Sequence, residues 1–309
     1  MVPNLPATIR SLFHKHPLIA ESALVASAIL VGKLASLIWK IGTAHQGTQV
    51  VGEIEYILTT TNLIAALAIQ GLPMAVTIWT ARLHHEKKSD RHLIGESLVF
   101  GLLSASLLTL IAHFAFKLFP SLTGQMQTPP VTYLWIIPGI VAIELLSAWF
   151  NGRKQYNWYA LGKYLGQPLL RVCLFFGLIL CSVQLSITIP LHLTIAVAVL
   201  LLGLTLHALH VLRSDSMQTQ EMKDWPKLKS KFWGQGAVLS GSLLLYVIYT
   251  ASDVYWLNHF FSPSVVGTFS LLLALASLLE LVFYPILNLL QTRLGIFQSQ
   301  TPESFAFLG

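Results

Sequence analysis

The stretch Val50–Leu83, VVGEIEYILTTTNLIAALAIQGLPMAVTIWTARL, decides the fold, because the chain uses its plan twice. It opens on Val-Val-Gly52, stays apolar for longer than one helical membrane crossing needs, meets Pro73 and closes on Thr80-Ala-Arg-Leu. Apolar runs of this length predict a helix that crosses a bilayer.

A second copy of this plan begins about 215 residues later, at Val265-Val-Gly267. Its apolar run meets Pro285 and closes on Thr292-Arg-Leu294, so that the four landmarks keep their order while their spacing drifts. Internal duplication of a membrane unit is typical of transporters.

The composition indicates a membrane protein throughout the chain. Its 309 residues are 54% hydrophobic and only 10% charged, and the mean hydropathy is +0.67. A soluble domain carries roughly 25% charged residues. Membrane strands need only about 9–11 residues and alternate in polarity, so the long runs exclude a β-barrel. We therefore predict an all-α polytopic membrane protein.

Eight apolar runs are long enough to cross the membrane. Spans two, four and eight contain the helix breakers Gly71-Leu-Pro73, Pro138-Gly139 and Pro285, which predict kinks or hinges. The predicted spans are Leu18–Ile41, Ile54–Thr80, Leu93–Leu118, Val131–Phe150, Tyr164–Val183, Ile189–Leu212, Ala237–Leu257 and Val265–Leu290.

The basic residues predict the orientation. Fifteen of the 19 lie in alternate connections or termini, and the positive-inside rule places these in the cytoplasm, together with both chain ends. This topology explains the formal charge of +6 without a nucleic-acid partner. The fifteen are Arg10, Lys15, Arg82, Lys87, Lys88, Arg91, Arg153, Lys154, Lys163, Arg213, Lys223, Lys227, Lys229, Lys231 and Arg293.

The only long polar connection divides the chain. We predict a six-helix bundle over residues 1–212, a cytoplasmic linker over 213–236 and a partial second bundle, its first two helices, over 237–309. The end of the linker mixes cations with aromatic residues, which suits either an amphipathic helix on anionic headgroups or a solvated connection.

Three cations within the spans predict an anion site. Lys33 and Lys40 are seven residues apart on one face of span one, and Arg171 lies inside span five. Charges inside a membrane usually face a cavity or a partner. A guanidinium and two ammonium groups suit a phosphorylated headgroup, although ion pairs that lock helices together are the structural alternative.

Three carboxylates within the spans are candidates for a coupling cation or proton: Glu144, Asp253 and Glu280. Asp253 is the best of them, because Thr250 and Ser252 beside it supply the oxygen ligands that a hard cation prefers.

Other chemistries find no support in the sequence. Gly32-Lys33 lacks the rest of a phosphate loop, the histidines are sparse, and no Gly-x-Ser-x-Gly occurs. We predict no enzyme activity, no catalytic residue, no cofactor and no metal site.

With these residues in place, the chain resembles the polysaccharide and lipid-linked oligosaccharide flippases of the multidrug/oligosaccharidyl-lipid/polysaccharide exporter superfamily. The resemblance covers most of residues 18–295. It rests on Val50–Tyr56, on Gly71–Pro73 with Thr80–Arg82, on Asn151–Tyr156 leading to Leu165–Arg171, and on Asp253 with Phe261–Gly267.

This resemblance implies two six-helix bundles around a central cavity. It also implies alternating access that moves a polyprenyl-pyrophosphate-linked oligosaccharide from the inner to the outer leaflet of the bacterial cytoplasmic membrane, for cell-surface polysaccharide biosynthesis. The implied partners are this lipid-linked anionic glycan, membrane lipids, H⁺ or Na⁺, and other glycan-assembly membrane proteins. The chain departs from the family by lacking most of the second bundle, which predicts a fragment, a shortened relative, or a half that needs a partner.

Two alternatives stay open at this point. A cation-coupled multidrug exporter of the same superfamily would depend on Glu144, Asp253 and Glu280. A non-transporting membrane scaffold of a glycan-assembly complex would explain the missing spans.

Overall fold

The computed structural model describes residues 17–69, 71–119, 133–180, 185–215 and 225–277. This part of the chain is helical and contains no strand, which confirms the predicted all-α class. The helices are α1 Pro17–Ala44, α2 Thr48–Ile69, α3 Leu72–His85, α4 Arg91–Leu118, α5 Ile137–Gly152, α6 Tyr156–Ala160, α7 Gly166–Leu180, α8 Leu185–Asp215, α9 Trp225–Phe260 and α10 Pro263–Ala276. A 3₁₀ turn, Leu134–Ile136, leads into α5, and a π-helical turn, Leu161–Leu165, joins α6 to α7.

Seven helical segments of the described chain are long and apolar enough to cross a membrane, and α10 is a shorter apolar helix that meets the limit of the described residues. The protein is therefore a multi-pass membrane protein. The segment that ends in α5 is the most buried of the seven, and its neighbours α3, α4 and α8 pack around it. This central helix carries the large buried side chains Trp149 and Phe150.

The predicted break in span two is confirmed. The helix α2 ends at Ile69, and α3 begins at Leu72 with Pro73 in its first turn, where the missing amide costs no hydrogen bond. The prediction of a kink at Pro138 is wrong, because this residue occupies the first turn of α5 instead of its interior. Pro285 lies outside the described residues.

Helical bounds differ from the predicted domain boundaries around the linker. The first residues of the predicted linker belong to α8, and residues 225–236 form the first third of α9. The helix starts with Trp225-Pro226, and proline is favoured at this position of a helix. Both α9 and α10 then pack along α2, so that the start of the predicted second bundle lies directly on the first.

Two connections that the sequence places in the cytoplasm end their helices in the same way. After α3, the amides of Lys87 and Lys88 donate to the carbonyls of His84 and Leu83. This pattern closes a helix C-terminus and puts Lys87 in the left-handed region, with φ of 53°. The turn after α5 repeats the pattern around Lys154, whose φ is 60°.

Candidate functional site

The two copies of the Val-Val-Gly motif contact each other where α2 crosses α10. A Cβ on Gly52 would lie 1.8 Å from the carbonyl oxygen of Pro263, and a Cβ on Gly267 would lie 2.0 Å from that of Thr48. Each glycine therefore faces the carbonyl four residues before the other glycine, which is the relation a two-fold axis produces. Only glycine allows the two backbones to approach this closely.

Lys40 of α1 lies beside this crossing and joins both copies. Its Nζ is 2.9 Å from Glu55 Oε2 on α2 and donates to Ser270 Oγ on α10 at 2.7 Å. The same interval of 215 residues that separates Gly52 from Gly267 separates Glu55 from Ser270. The lysine thus contacts equivalent positions of the duplicated unit, with its side chain only 14% exposed.

Lys33 occupies the same face of α1, about two turns earlier. Its Nζ donates to the carbonyl oxygen of Ser277, just after the end of α10. Both predicted lysines of span one are therefore brought against α10.

Arg171 of α7 completes the set of predicted cations. Its Nη2 donates to Gln167 Oε1 at 2.8 Å, and its guanidinium carbon lies 5.9 Å from the centre of the Trp39 ring. It also interacts electrostatically with Glu55, the carboxylate that holds Lys40. We call Lys33, Lys40 and Arg171 the basic track.

Two donors, one in the basic track and one beside it, are buried without a hydrogen-bond partner among the described residues. They are Nε of Arg171 and Nε1 of Trp39, and the indole is only 3% exposed. Buried donors normally find an acceptor, and leaving one unsatisfied costs about 1–3 kcal/mol. The pair is therefore suited to receive the oxygen atoms of an anionic ligand.

Glu144 lies on α5 and forms an ion pair with Lys163. The structure corrects the sequence prediction for Lys163, which was placed in a connection but lies within a helical segment, Tyr156–Leu180. Its π-helical turn packs tightly on α5, since a Cβ on Gly162 would lie 2.2 Å from Ser147 Oγ. Such turns are frequent at functional sites, and no periodicity of the sequence marks this one.

Asp253 is exposed on α9. The Thr250 hydroxyl donates to the carbonyl of Tyr246, and the Ser252 hydroxyl donates to that of Tyr249, so both serve their own helix. These bonds use the hydroxyl hydrogens and leave the oxygen lone pairs available, and the role of Asp253 as a cation ligand stays a prediction. Glu280 lies outside the described residues.

A buried ion pair that sequence reasoning missed joins the two similar turns. Arg153 Nε donates to Asp90 Oδ2 at 2.8 Å, and Trp149 Nε1 donates to the same oxygen at 2.8 Å. The guanidinium also lies over the Trp149 ring at 4.3 Å, and the two ionic side chains are only 5% and 2% exposed. We call Asp90, Trp149 and Arg153 the clasp.

Glu86 forms a more exposed cluster on the neighbouring turn. Its carboxylate accepts from Arg82 Nε at 3.0 Å and from Lys88 Nζ at 2.6 Å. Burial alone would raise the pKa of Glu86, but the hydrogen bonds from Lys88 and Arg82 together lower the pKa below its ordinary value.

These features define a class: a helical membrane protein whose two Val-Val-Gly segments cross at Gly52 and Gly267, with buried cations beside the crossing. Residues 18–290 match the family of polysaccharide biosynthesis proteins, and the chain belongs to this family, which comprises polysaccharide flippases such as those of O-antigen. No curated protein and no solved structure matches the chain.

Proposed function

We propose that this protein is a flippase that moves a polyprenyl-pyrophosphate-linked oligosaccharide from the inner to the outer leaflet of the bacterial cytoplasmic membrane. The single observation that carries the proposal is the pair of buried donors on Arg171 and the neighbouring Trp39, which find no acceptor in the described part of the chain. Family membership supports a transporter of polysaccharide biosynthesis, and the buried donors supply an anchor for its phosphates.

Ligand binding would loosen the contact between α1 and α10. Arg171 has donor capacity left, whereas Lys40 is held by Glu55 and Ser270, and Lys33 is held by the carbonyl of Ser277. A pyrophosphate that settles on Arg171 competes for the lysines as well. In drawing them from α10, it weakens the ties between the two copies and favours their relative movement.

Coupling to a cation or proton remains assigned to Glu144, Asp253 and Glu280. Glu144 has the strongest structural support of the three, because it forms an ion pair with Lys163. When the carboxylate binds a cation or a proton, Lys163 is free to leave this ion pair for another ionic contact. Both chain ends lie in the cytoplasm, as the distribution of basic residues predicts.

The proposal is tested with purified protein in proteoliposomes that contain a fluorescent undecaprenyl-pyrophosphate-linked sugar. We expect Arg171→Ala to weaken binding of this probe by about tenfold or more, because a charged hydrogen bond contributes roughly 1.5–3 kcal/mol. Lys33→Ala should slow transfer across the bilayer. The matched control is Lys117→Ala, which removes an exposed cation near the end of α4, remote from the basic track in sequence.

Equal binding by the wild type, Arg171→Ala and Lys117→Ala would overturn the assignment of the basic track. Tight binding without any transfer by the wild type would contradict the flippase and favour a scaffold. Transfer of hydrophobic cations in place of the glycolipid would favour the multidrug exporter.

A further inference from the structure

A groove runs along α1 and α6–α7 on the side of α1 that faces away from the basic track. One section has a volume of about 570 Å³ and is lined mainly by apolar side chains, among them Leu24, Val31 and Leu169. Lys33 lies nine residues from Leu24, which is half a turn at 100° per residue, so the two side chains point to opposite sides of α1.

The groove opens into a polar mouth of about 480 Å³ beside the turn after α5. The two sections share the lining residues Leu24, Asn157 and Trp158, so they adjoin along α1 and α6. Among the described residues that line the mouth, one carboxylate, Glu21, and one ammonium group, Lys154, carry a full charge.

The residues of the mouth are held in place by their own contacts. Lys154 occupies the left-handed position of the turn that ends α5, and its amide donates to the carbonyl of Asn151 at 3.0 Å. The Trp158 ring stacks on His207 with a centroid distance of 3.9 Å, and His207 Nε2 lies 3.2 Å from Gln155 Oε1. Tryptophan is enriched at the height of the lipid headgroups, which is where this mouth would lie.

We propose that the groove binds a zwitterionic aminophospholipid of the phosphatidylethanolamine type, with its phosphate on Lys154 and its ammonium group on Glu21. An acyl chain lies in the apolar section, between Leu24 and Leu169. A site with one charge of each sign complements a headgroup with one charge of each sign.

The length of the groove agrees with this occupant. From Asn157 to Leu169 the chain rises about 18 Å at 1.5 Å per residue, which is close to half of a hydrocarbon core of about 30 Å. One acyl chain of a single leaflet fits this depth. A polyprenyl pyrophosphate would bring several negative charges against Glu21, so the groove differs in charge as well as in place from the basic track.

The test uses the full protein in lipid nanodiscs with phosphatidylethanolamine that carries a photoreactive diazirine in one acyl chain. We expect labelling of peptides from α1 and α6–α7 that unlabelled phosphatidylethanolamine suppresses and phosphatidylglycerol does not. Lys154→Gln and Glu21→Gln should each reduce labelling by about fivefold, since a lysine at a membrane surface contributes about that factor. Val31→Trp, which fills the groove, should abolish it, whereas Lys231→Gln on α9 should leave it unchanged.

Equal labelling by the two phospholipids would overturn the proposal, as would labelling that both charge variants retain. Stronger displacement by undecaprenyl phosphate than by phosphatidylethanolamine would assign the groove to the transported lipid instead. The competition between lipids uses the wild type alone, so it decides the question even where a variant fails to fold.

Discussion

The clasp shows how this membrane protein stabilises charges that are removed from water. Burying an ion pair is expensive, and it is tolerated when additional hydrogen bonds satisfy the remaining atoms. Here Trp149 donates to Asp90 and places its ring under the Arg153 guanidinium. The three side chains together connect the turn before α4 with the end of α5.

We predict that Asp90→Asn destabilises the protein strongly, by about 3–5 kcal/mol, because it removes the counter-charge that Asp90 supplies to the buried Arg153 cation. Thermal unfolding in detergent, followed by circular dichroism, measures the loss. Glu86→Gln is the control, since the Glu86 ion pairs are more exposed and such pairs contribute only about 0–1 kcal/mol.

The double variant Asp90→Asn/Arg153→Gln checks this explanation. Removal of both charges should recover part of the stability that the single variant loses, because the buried cation is gone. Equal destabilisation by Asp90→Asn and Glu86→Gln would contradict a special role for the clasp.

Sequence reasoning found the candidate cations and missed most of their partners. Lys33, Lys40 and Arg171 were recognisable because a charge inside an apolar run stands out. Glu55 and Arg153 were not recognisable in this way. Glu55 lies near the start of a span, and Arg153 explains the topology equally well as a solvated charge. Which charge meets which depends on helices far apart in the sequence, and no spacing encodes it.

At the scale of elements, the crossing of α2 and α10 depends on two glycines, Gly52 and Gly267, which have no side chain. A Cβ at Gly52 or Gly267 would overlap a backbone carbonyl, which cannot rotate away as a side chain can. The helices would have to separate, and Lys40 would lose one of its contacts with the two copies.

We predict that Gly52→Ala lowers stability by about 1–3 kcal/mol, the usual cost of forcing additional atoms into a packed contact. Gly203→Ala is the matched control: a Cβ there meets nothing within 4 Å, and alanine in an exposed helix interior is favoured over glycine by roughly 0.5–1 kcal/mol. Thermal unfolding of the two variants should therefore shift in opposite directions. A shift of the same sign and size would show that the crossing is loosely packed.

The sequence predicted the helices better than their ends. The lengths of the apolar runs indicate the number of spans. Pro73 marks a break between helices, because proline has no amide hydrogen to donate within a helix. The start of α9 falls within the predicted linker, for whose end the sequence left open an amphipathic helix or a solvated connection. In the structure Trp225 Nε1 donates to Glu96 at 3.0 Å and Lys229 pairs with the same carboxylate at 2.9 Å, which holds these polar turns against α4.

At the scale of the whole molecule, the predicted orientation places the turns after α3 and α5 and the start of α9 on one side of the membrane. The turns after α1 and α9 then lie on the other side. Single cysteines placed in a variant that lacks Cys173 and Cys181 test this arrangement with a membrane-impermeant maleimide.

We predict that cysteines at Gln46 and Ser262, both exposed, react with the reagent in intact cells. Cysteines at Lys88 and Lys229 should react only after the membrane is opened, because the positive-inside rule places them in the cytoplasm. Labelling of Lys88 and Lys229 from opposite sides would contradict the topology and the direction of transport that depends on it.

The reciprocal contact between Gly52 and Gly267 bears on the ancestry of the molecule. A surface that pairs with its own copy across a dyad is the interface of a symmetric homodimer, so the unduplicated progenitor could have assembled through this same helix. A fusion of two such genes would keep the interface and would allow each half to mutate alone. The equivalent positions 55 and 270 now carry a glutamate and a serine, and the side chain of Lys40 contacts both.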